Sequence, residues 1–425
     1  MTMNSQNGFG RRQLLTGSVG ATVSLLAGGT LLSGCAASST KSVTTWYFPF
    51  GTNVESVYAK FKDEFEKEHP NIKINLQLQP WSNRYPKMLT ALGANKGPDV
   101  MFMTPDALIQ FASAGVLAPL DGLIPDSAWK GFPKSILDSA SYEGKRWYYP
   151  IDQEVPVWLY NKALIKRIGL DPASPPKTWS DLRTVCGAAK KSGGDITGWG
   201  YNASSVTVND TFYPFLYQAG GRVLSDDLKL TTINSAEGVA ALTFIVELFN
   251  NGWSPKSYLQ PNDNALADPF FQGNQVVSIQ FKQNGIANAR QVKGLDWGLT
   301  PVLRDKEAWG FGATRSWAIS AGAEDRDAAA AWVNFLARPE NVVTHCEAFG
   351  ISPANTTVAA NTFKSDPVLA SLSDRIPNTF GEQEIAKGRQ LMPLLTPEIQ
   401  LAILGQKTPT QALESAAAAI DALLV

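Results

Sequence analysis

The chain has 425 residues and a formal net charge of −1, with 37 Lys and Arg against 38 Asp and Glu. That balance excludes the basic excess expected of a nucleic-acid binder. Two histidines and three cysteines without metal-type spacing leave no basis for a metal centre or another cofactor, while 12 Trp, 11 Tyr and 20 Phe point to stacking surfaces more than to catalysis.

The first element is an export signal. Gly10-Arg11-Arg12-Gln13 precedes an apolar, small-residue run from Leu14 to Leu32. A charged start, a short apolar stretch and a small-residue cleavage site predict secretion, and the paired arginines predict the twin-arginine route. The run has the length of a membrane span, but Gly17, Gly20, Gly28 and Gly29 make it weakly apolar for one. Its end, Leu32-Ser33-Gly34-Cys35, resembles a bacterial lipobox. The resemblance implies cleavage before Cys35 and a diacylglyceryl group on its sulfur, which supplies the two chains that stable anchoring needs. Residues 1–35 are thus the signal and 36–42 a small, polar tether. The body would sit outside the cytoplasmic membrane, held by lipid.

The roughly 385 remaining residues exceed one ordinary core, so two domains are expected. Val43–Phe48 reads as a strand. Val54–His69 is a helix with Val54, Val57, Tyr58, Phe61 and Phe65 on one face, stopped by Pro70. Ile72–Leu78 alternates as a strand, Arg84–Ala94 is a helix, and Asp99–Met103 a buried strand. Strand and helix alternating at this spacing predict a parallel sheet covered by helices. Tyr149–Asp152 and Val155–Tyr160 read as extended. Helices follow at Trp179–Lys191, Phe212–Gly220, Ser235–Asn250 and Asp263–Gly273. Val276–Phe281 and Ser316–Ser320 are strands, Trp297–Pro301 an extended return and Ala328–Leu336 a helix. The part after Pro367 reads as helical throughout, ending with Pro409–Leu424. Cys186 and Cys346 are read as buried free thiols, although the compartment permits one disulfide.

Several blocks together resemble the family 1 extracellular solute-binding proteins, the maltose-type receptors of ABC importers. They are Gly97-Pro98-Asp99-Val100 with Ala114–Asp121, Tyr142–Lys145 through Tyr149-Pro150, and Leu159–Lys162. Gly169–Pro172 with Pro175–Leu182, Phe271–Asn274, and Asp327–Leu336 with Pro339-Glu340 complete the set. The resemblance implies an α/β fold of two lobes, the type II periplasmic-binding-protein fold, with a cleft between lobes joined by crossing strands. Lobe one would take 43–153 and 311–365, lobe two 154–310 and 366–425. It also implies a monomeric receptor that hands a sugar to membrane permease subunits, not an enzyme. Hinged lobes suit that task, because a solute contacting both shifts the open and closed populations.

Sugars offer apolar C–H faces and a rim of hydroxyls, so their sites pair aromatic rings with carboxylates and amides. Asp152-Gln153-Glu154-Val155-Pro156-Val157-Trp158 supplies both kinds of group at the expected cleft floor, with Asp152 and Glu154 on one side of the extended chain. Loops after strand ends nominate Phe50 and Gly51, Trp81 and Tyr85, and Thr104 and Asp106 in lobe one. Lobe two offers Gln280, Lys282, Gln283 and Asn284, with Asn202, Tyr213 and Tyr217 weaker. Trp309–Arg315 resembles the family's glycine-rich ligand loop, which nominates Trp309, Gly312 and Arg315; Trp317 reads as buried. His69 and His345 carry no partner spacing.

Two other readings stay open. Asp152 and Glu154, about 6.6 Å apart along a strand, overlap the spacing of the acid and base of a secreted polysaccharide hydrolase. Lys282 and Arg315 would suit a phosphorylated polyol, against which the two carboxylates argue.

Overall fold

The computed structural model describes residues 40–49, 53–81, 83–203, 208–259, 268–281, 283–381 and 385–425. The signal, Cys35, most of the tether, Phe50, Gly51 and Lys282 lie outside the described residues, as do the first five residues of the helix expected at Asp263–Gly273, whose described part, 268–273, is bend and turn instead of helix.

A seven-stranded sheet forms the first lobe, ordered Ser352–Pro353, Tyr149–Gln153, Thr314–Ser320, Val100–Met103, Lys41–Tyr47 and Ile72–Leu78, with Leu117–Ala118 beside Thr314–Ser320. The three N-terminal strands pair in parallel, the second and third each reached through a helix, as the alternating pattern predicts. Val100–Met103 is buried along its whole length, which is why it reads as an unbroken apolar run. The helix Val54–Glu68 lays Tyr58, Phe61 and Phe65 on this sheet. Each such side chain contributes on the order of 1.5–3 kcal/mol by leaving water.

Thr314–Ser320 is the return strand of this lobe. It enters antiparallel between Val100–Met103 and Tyr149–Gln153 and is buried at all seven positions, Trp317 included.

The second lobe is built on a four-stranded sheet ordered Trp297–Leu299, Leu159–Asn161, Gln275–Val277 and Thr197–Trp199. Its helices include Trp179–Ser192, opened by a Thr178–Asp181 capping box, and Ala236–Asn250. Trp179 stacks on Phe244 with ring centroids 4.6 Å apart, locking these two helices together. Gly388–Ile403 and Pro409–Leu424 close the same core.

Two hydrophobic clusters result. The first runs from Val43 to Leu159 and takes in Phe270, Phe271, Ile286, Ala289 and Trp317 to Leu372; the second joins Trp158 and Tyr160 through Val277 to Phe311, Ala313 and the C-terminal helices. Cys346 is in the first and Cys186 in the second, both free thiols, as read from the sequence. Among the described residues no helix is long and apolar enough to cross a membrane.

Three segments pass between the clusters and are stitched to one another. Glu154 N–H donates to Ala313 O at 2.9 Å, and Gly312 N–H donates to Phe380 O at 3.1 Å. Gly310–Phe311 pairs with Thr379–Phe380, a strand in a region expected to be helical. Arg375 donates to Pro156 O at 3.1 Å and Thr300 O at 2.6 Å, tying the first crossing to the second sheet's edge. Burial lowers the Arg375 guanidinium to about 10. Another difference from expectation lies near Phe281. The strand stops at Val277, and Asn284 opens a helix, Asn284–Gln291, instead of ending a strand.

Candidate functional site

The junction of the lobes holds two adjoining cavities. One, of ≈ 370 Å³, is lined by Trp81, Arg84 and Thr104 from the first lobe, Glu154, Ala313 and Arg315 at the crossings, and Asp210, Gln283, Asn284 and Arg389 from the second. The other, of ≈ 230 Å³, is walled by Trp158, Trp199, Tyr201, Phe215 and Phe281, with Asn202, Thr211 and Gln280 among its polar groups. Asp210 and Asn284 belong to both linings.

Trp81 reaches this cavity because the turn before the helix Arg84–Gly93 leaves it 37% exposed. Its indole N–H donates to Pro49 O at 3.0 Å, and its ring stacks on Phe48 with centroids 4.8 Å apart. The Arg84 guanidinium lies 5.0 Å from that ring centroid and 4.4 Å from that of Tyr85, a cation–π arrangement that leaves the outer indole edge at the cavity.

Tyr85 and Asp106 stand behind the wall. Both the Tyr85 and Thr104 hydroxyls donate to Asp106 Oδ1, at 2.7 and 2.6 Å. The other oxygen, Oδ2, accepts from Arg389 Nε at 2.5 Å. Asp106 is therefore a tied carboxylate, 7% exposed, rather than the open contact its position after a strand predicts.

Asp152 is corrected more sharply. The strand Tyr149–Gln153 is buried at every position, and Asp152 is 0% exposed. Its Oδ1 accepts from Arg315 Nε at 2.6 Å and its Oδ2 meets His345 Nε2 at 2.7 Å. His345 Nδ1 in turn meets Tyr58 OH at 3.1 Å. Burial pushes the Asp152 carboxyl up, but the Arg315 charge and the His345 and Arg315 hydrogen bonds outweigh it, holding the group below the usual carboxylate range. Arg315 is also buried, and despite desolvation its two carboxylates raise it further. Tyr58 and the Cys346 thiol are driven well up by burial, with the Asp152 charge adding to both.

Glu154 sits where the sequence puts it, on the cavity wall, with Oε1 3.7 Å from Arg315 Nη1. The two carboxylates share Arg315, so alternation correctly sets them on one side; it could not reveal that one lies beneath the other. Asp152 is thus closed off from the cavity that Glu154 lines.

Gly312 is a packing glycine. A Cβ there would lie 2.0 Å from Glu154 O, and its N–H is spent on Phe380. Trp309 lines neither cavity; its indole donates to Glu307 at 2.6 Å. Tyr217 stacks on Phe380 at 4.2 Å and Tyr213 is fully buried, both packing roles. Of the lobe-two nominees, Asn284, Gln283, Gln280 and Asn202 reach a cavity. Gln283 also bridges lobes, its side-chain amide donating to Gln153 O at 3.0 Å.

Sequence reasoning missed Arg84, Asp210, Arg389 and, apart from Trp158, the ring wall of the smaller cavity. The rule that selected Thr104 and Asp106, the loop after a strand end, applies equally to Trp199-Gly200-Tyr201 and would have found part of that wall. Arg389 gives no such signal.

Two lobes, hinged by three crossings and enclosing a polar cavity floored by rings, define a solute receptor. The chain belongs to the bacterial extracellular solute-binding protein family, whose model matches residues 51–343. It is 25% identical over 341 residues to the maltotriose-binding protein of Pyrococcus abyssi, covering 77% of this chain and 70% of that one. It is 25% identical over 288 residues to the sn-glycerol-3-phosphate-binding periplasmic protein of Escherichia coli K12, covering 63% and 64%. The fold matches the crystal structure of the cyclic alpha-maltosyl-1,6-maltose binding protein from Arthrobacter globiformis, with a TM-score of 0.78 at 22% identity over 90% of this chain and 98% of that one.

Proposed function

We propose that this protein is the extracytoplasmic receptor of an ABC importer, that it binds a mono- or oligosaccharide between its closing lobes, and that it delivers the sugar to membrane permease subunits. The observation that carries the reading is the joined pair of cavities. Trp158, Trp199, Tyr201 and Phe281 offer ring faces, while Glu154, Asp210, Asn284 and Gln283 offer the acceptors and amides that hydroxyls require. Relatives that carry maltotriose and cyclic maltosyl-maltose in their names support a sugar as the solute class.

Lobe one is taken as about 43–153 with 311–365 and lobe two as about 154–310 with 366–425. Core membership supports shifting three boundaries: Val155, Val157 and Leu159, and Leu369 and Leu372, pack with the first cluster, and Phe311 and Ala313 with the second. The receptor acts as a monomer, tethered through a lipid on Cys35 to the outer face of the cell membrane.

A second reading, a phosphorylated polyol, is favoured by Arg84, Arg315 and Arg389 at one cavity and by the glycerol-phosphate relative. Asp152 and Glu154 already face Arg315, and Asp106 faces Arg389, so little of that positive charge is left for a phosphate.

A thermal-shift panel tests both. Maltose, maltotriose and trehalose should raise the melting temperature, since a solute at 100 times its Kd stabilises the fold by about 2.7 kcal/mol. A shift with sn-glycerol 3-phosphate alone would replace the sugar reading by the second, and cleavage products in the incubated oligosaccharides would overturn the receptor reading.

A further inference from the structure

Asp106 and Arg389 lie 283 positions apart, and each is rooted in a different core. Asp106 sits in the short helical turn Pro105–Ala107 after the strand Val100–Met103, and its neighbours Ala107, Leu108 and Phe111 pack in the first cluster. Arg389 opens the helix Gly388–Ile403, whose Leu391, Met392, Leu395 and Ile399 pack in the second. The bond between them therefore crosses the cleft, and Arg389 is part of the cavity wall.

The two ends differ in freedom. The Tyr85 and Thr104 hydroxyls hold the Asp106 carboxylate in one orientation, with its Oδ2 aimed across the gap. The Arg389 side chain is 33% exposed, and among the described residues its Nη groups donate to no protein acceptor. A buried, oriented acceptor thus faces a partly exposed donor whose guanidinium also lies 5.2 Å from the Tyr85 ring centroid, so both of its contacts to the first lobe are lost together if the lobes part.

Resting on the receptor reading given above, we propose that Arg389 is a positioning residue: it clasps the two lobes through Asp106 before any solute is bound and sets how far the cleft stands open. Arg389 is part of the cavity wall and Asp106 lies behind it, so solute entry and lobe separation are linked through Arg389.

The test uses the full chain without added solute, so its outcome is independent of which sugar binds or whether one does. Small-angle scattering is recorded for wild type, Arg389→Gln, Asp106→Asn and the double variant, at low salt and in about 1 M NaCl, where the screening length falls to about 3 Å. Wild type should be compact at low salt and expand at high salt. Each single variant should have the larger radius of gyration at both salt concentrations, with no further increase in the double variant. Arg389→Lys, which keeps the charge and serves as the check should the glutamine variant fail to fold, should restore at least part of the compaction. A folded Arg389→Gln protein with the wild-type radius, or a lysine variant as expanded as the glutamine one at low salt, would overturn the clasp.

Discussion

Replacing Asp152 by Asn tests whether the buried network beneath the cavity holds the first lobe together. The carboxylate is fully enclosed and accepts from Arg315 Nε at 2.6 Å while meeting His345 Nε2 at 2.7 Å. Removing the charge leaves Arg315 in the interior facing the more distant carboxylate of Glu154, 3.7 Å away. Breaking one partner of a buried pair costs about 3–5 kcal/mol. Asn lies at the lower end, because its carbonyl can still accept from Arg315 and its amide can donate to His345 once the imidazole tautomer reverses toward Tyr58. Ala lies at the upper end, since both partners lose their acceptor. The assay is guanidinium denaturation at pH 7, followed by circular dichroism, with the slope checked for constancy. The pH dependence carries a sign. A carboxyl held below its unfolded value of about 3.9 contributes stability above that pH and loses it as pH falls through the lower folded value. The gap between wild type and Asp152→Asn should therefore be full at pH 7 and shrink below about pH 4. An Asn variant within about 1 kcal/mol of wild type at pH 7, or a gap that does not change with acid, refutes the network's role.

Three further outcomes are expected. Gly312→Ala forces a Cβ to within 2.0 Å of Glu154 O at the hinge, and should destabilise by about 1–3 kcal/mol or more in the same denaturation assay. Arg375→Met strands the carbonyls of Pro156 and Thr300 and should cost about 1–3 kcal/mol, read as a lowered denaturation midpoint. Cys186, its thiol raised to about 12 by burial, and Cys346, raised well above its ordinary value, should resist a thiol reagent at pH 8 in the native protein and react at once in denaturant.

Periodicity made much of the framework legible. The spacing of Val54, Tyr58, Phe61 and Phe65 specifies a helix whose buried face is those four residues. The crossing segment and the Trp309–Arg315 loop likewise read as cleft contacts, and Glu154 and Arg315 do line the cavity. What stayed hidden depends on long-range pairing. Thr379–Phe380 becomes a strand only because Gly310–Phe311 lies alongside it, and its own residues give no alternation to read. The helix Asn284–Gln291 begins with Asn-Gly and has few apolar residues, so its period is faint. Asp152 looked like a ligand contact because alternation reports which way a side chain leans, not how many layers cover it. Arg389 could be found only through its partner across the cleft.

The placement of Thr314–Ser320 bears on how the protein is made. As the nascent chain leaves the ribosome, Val100–Met103 and Tyr149–Gln153 emerge with facing edges unpaired, and the segment that fills the gap comes only after the second sheet has been synthesised. The second core waits too, for the helices Gly388–Ile403 and Pro409–Leu424. Neither half can finish alone, so open strand edges persist until translation is nearly over. Such contacts of long sequence separation slow acquisition of the native state and expose the chain to edge-to-edge association. Fragments ending before residue 314 are accordingly expected to aggregate and to depend on chaperones during biogenesis.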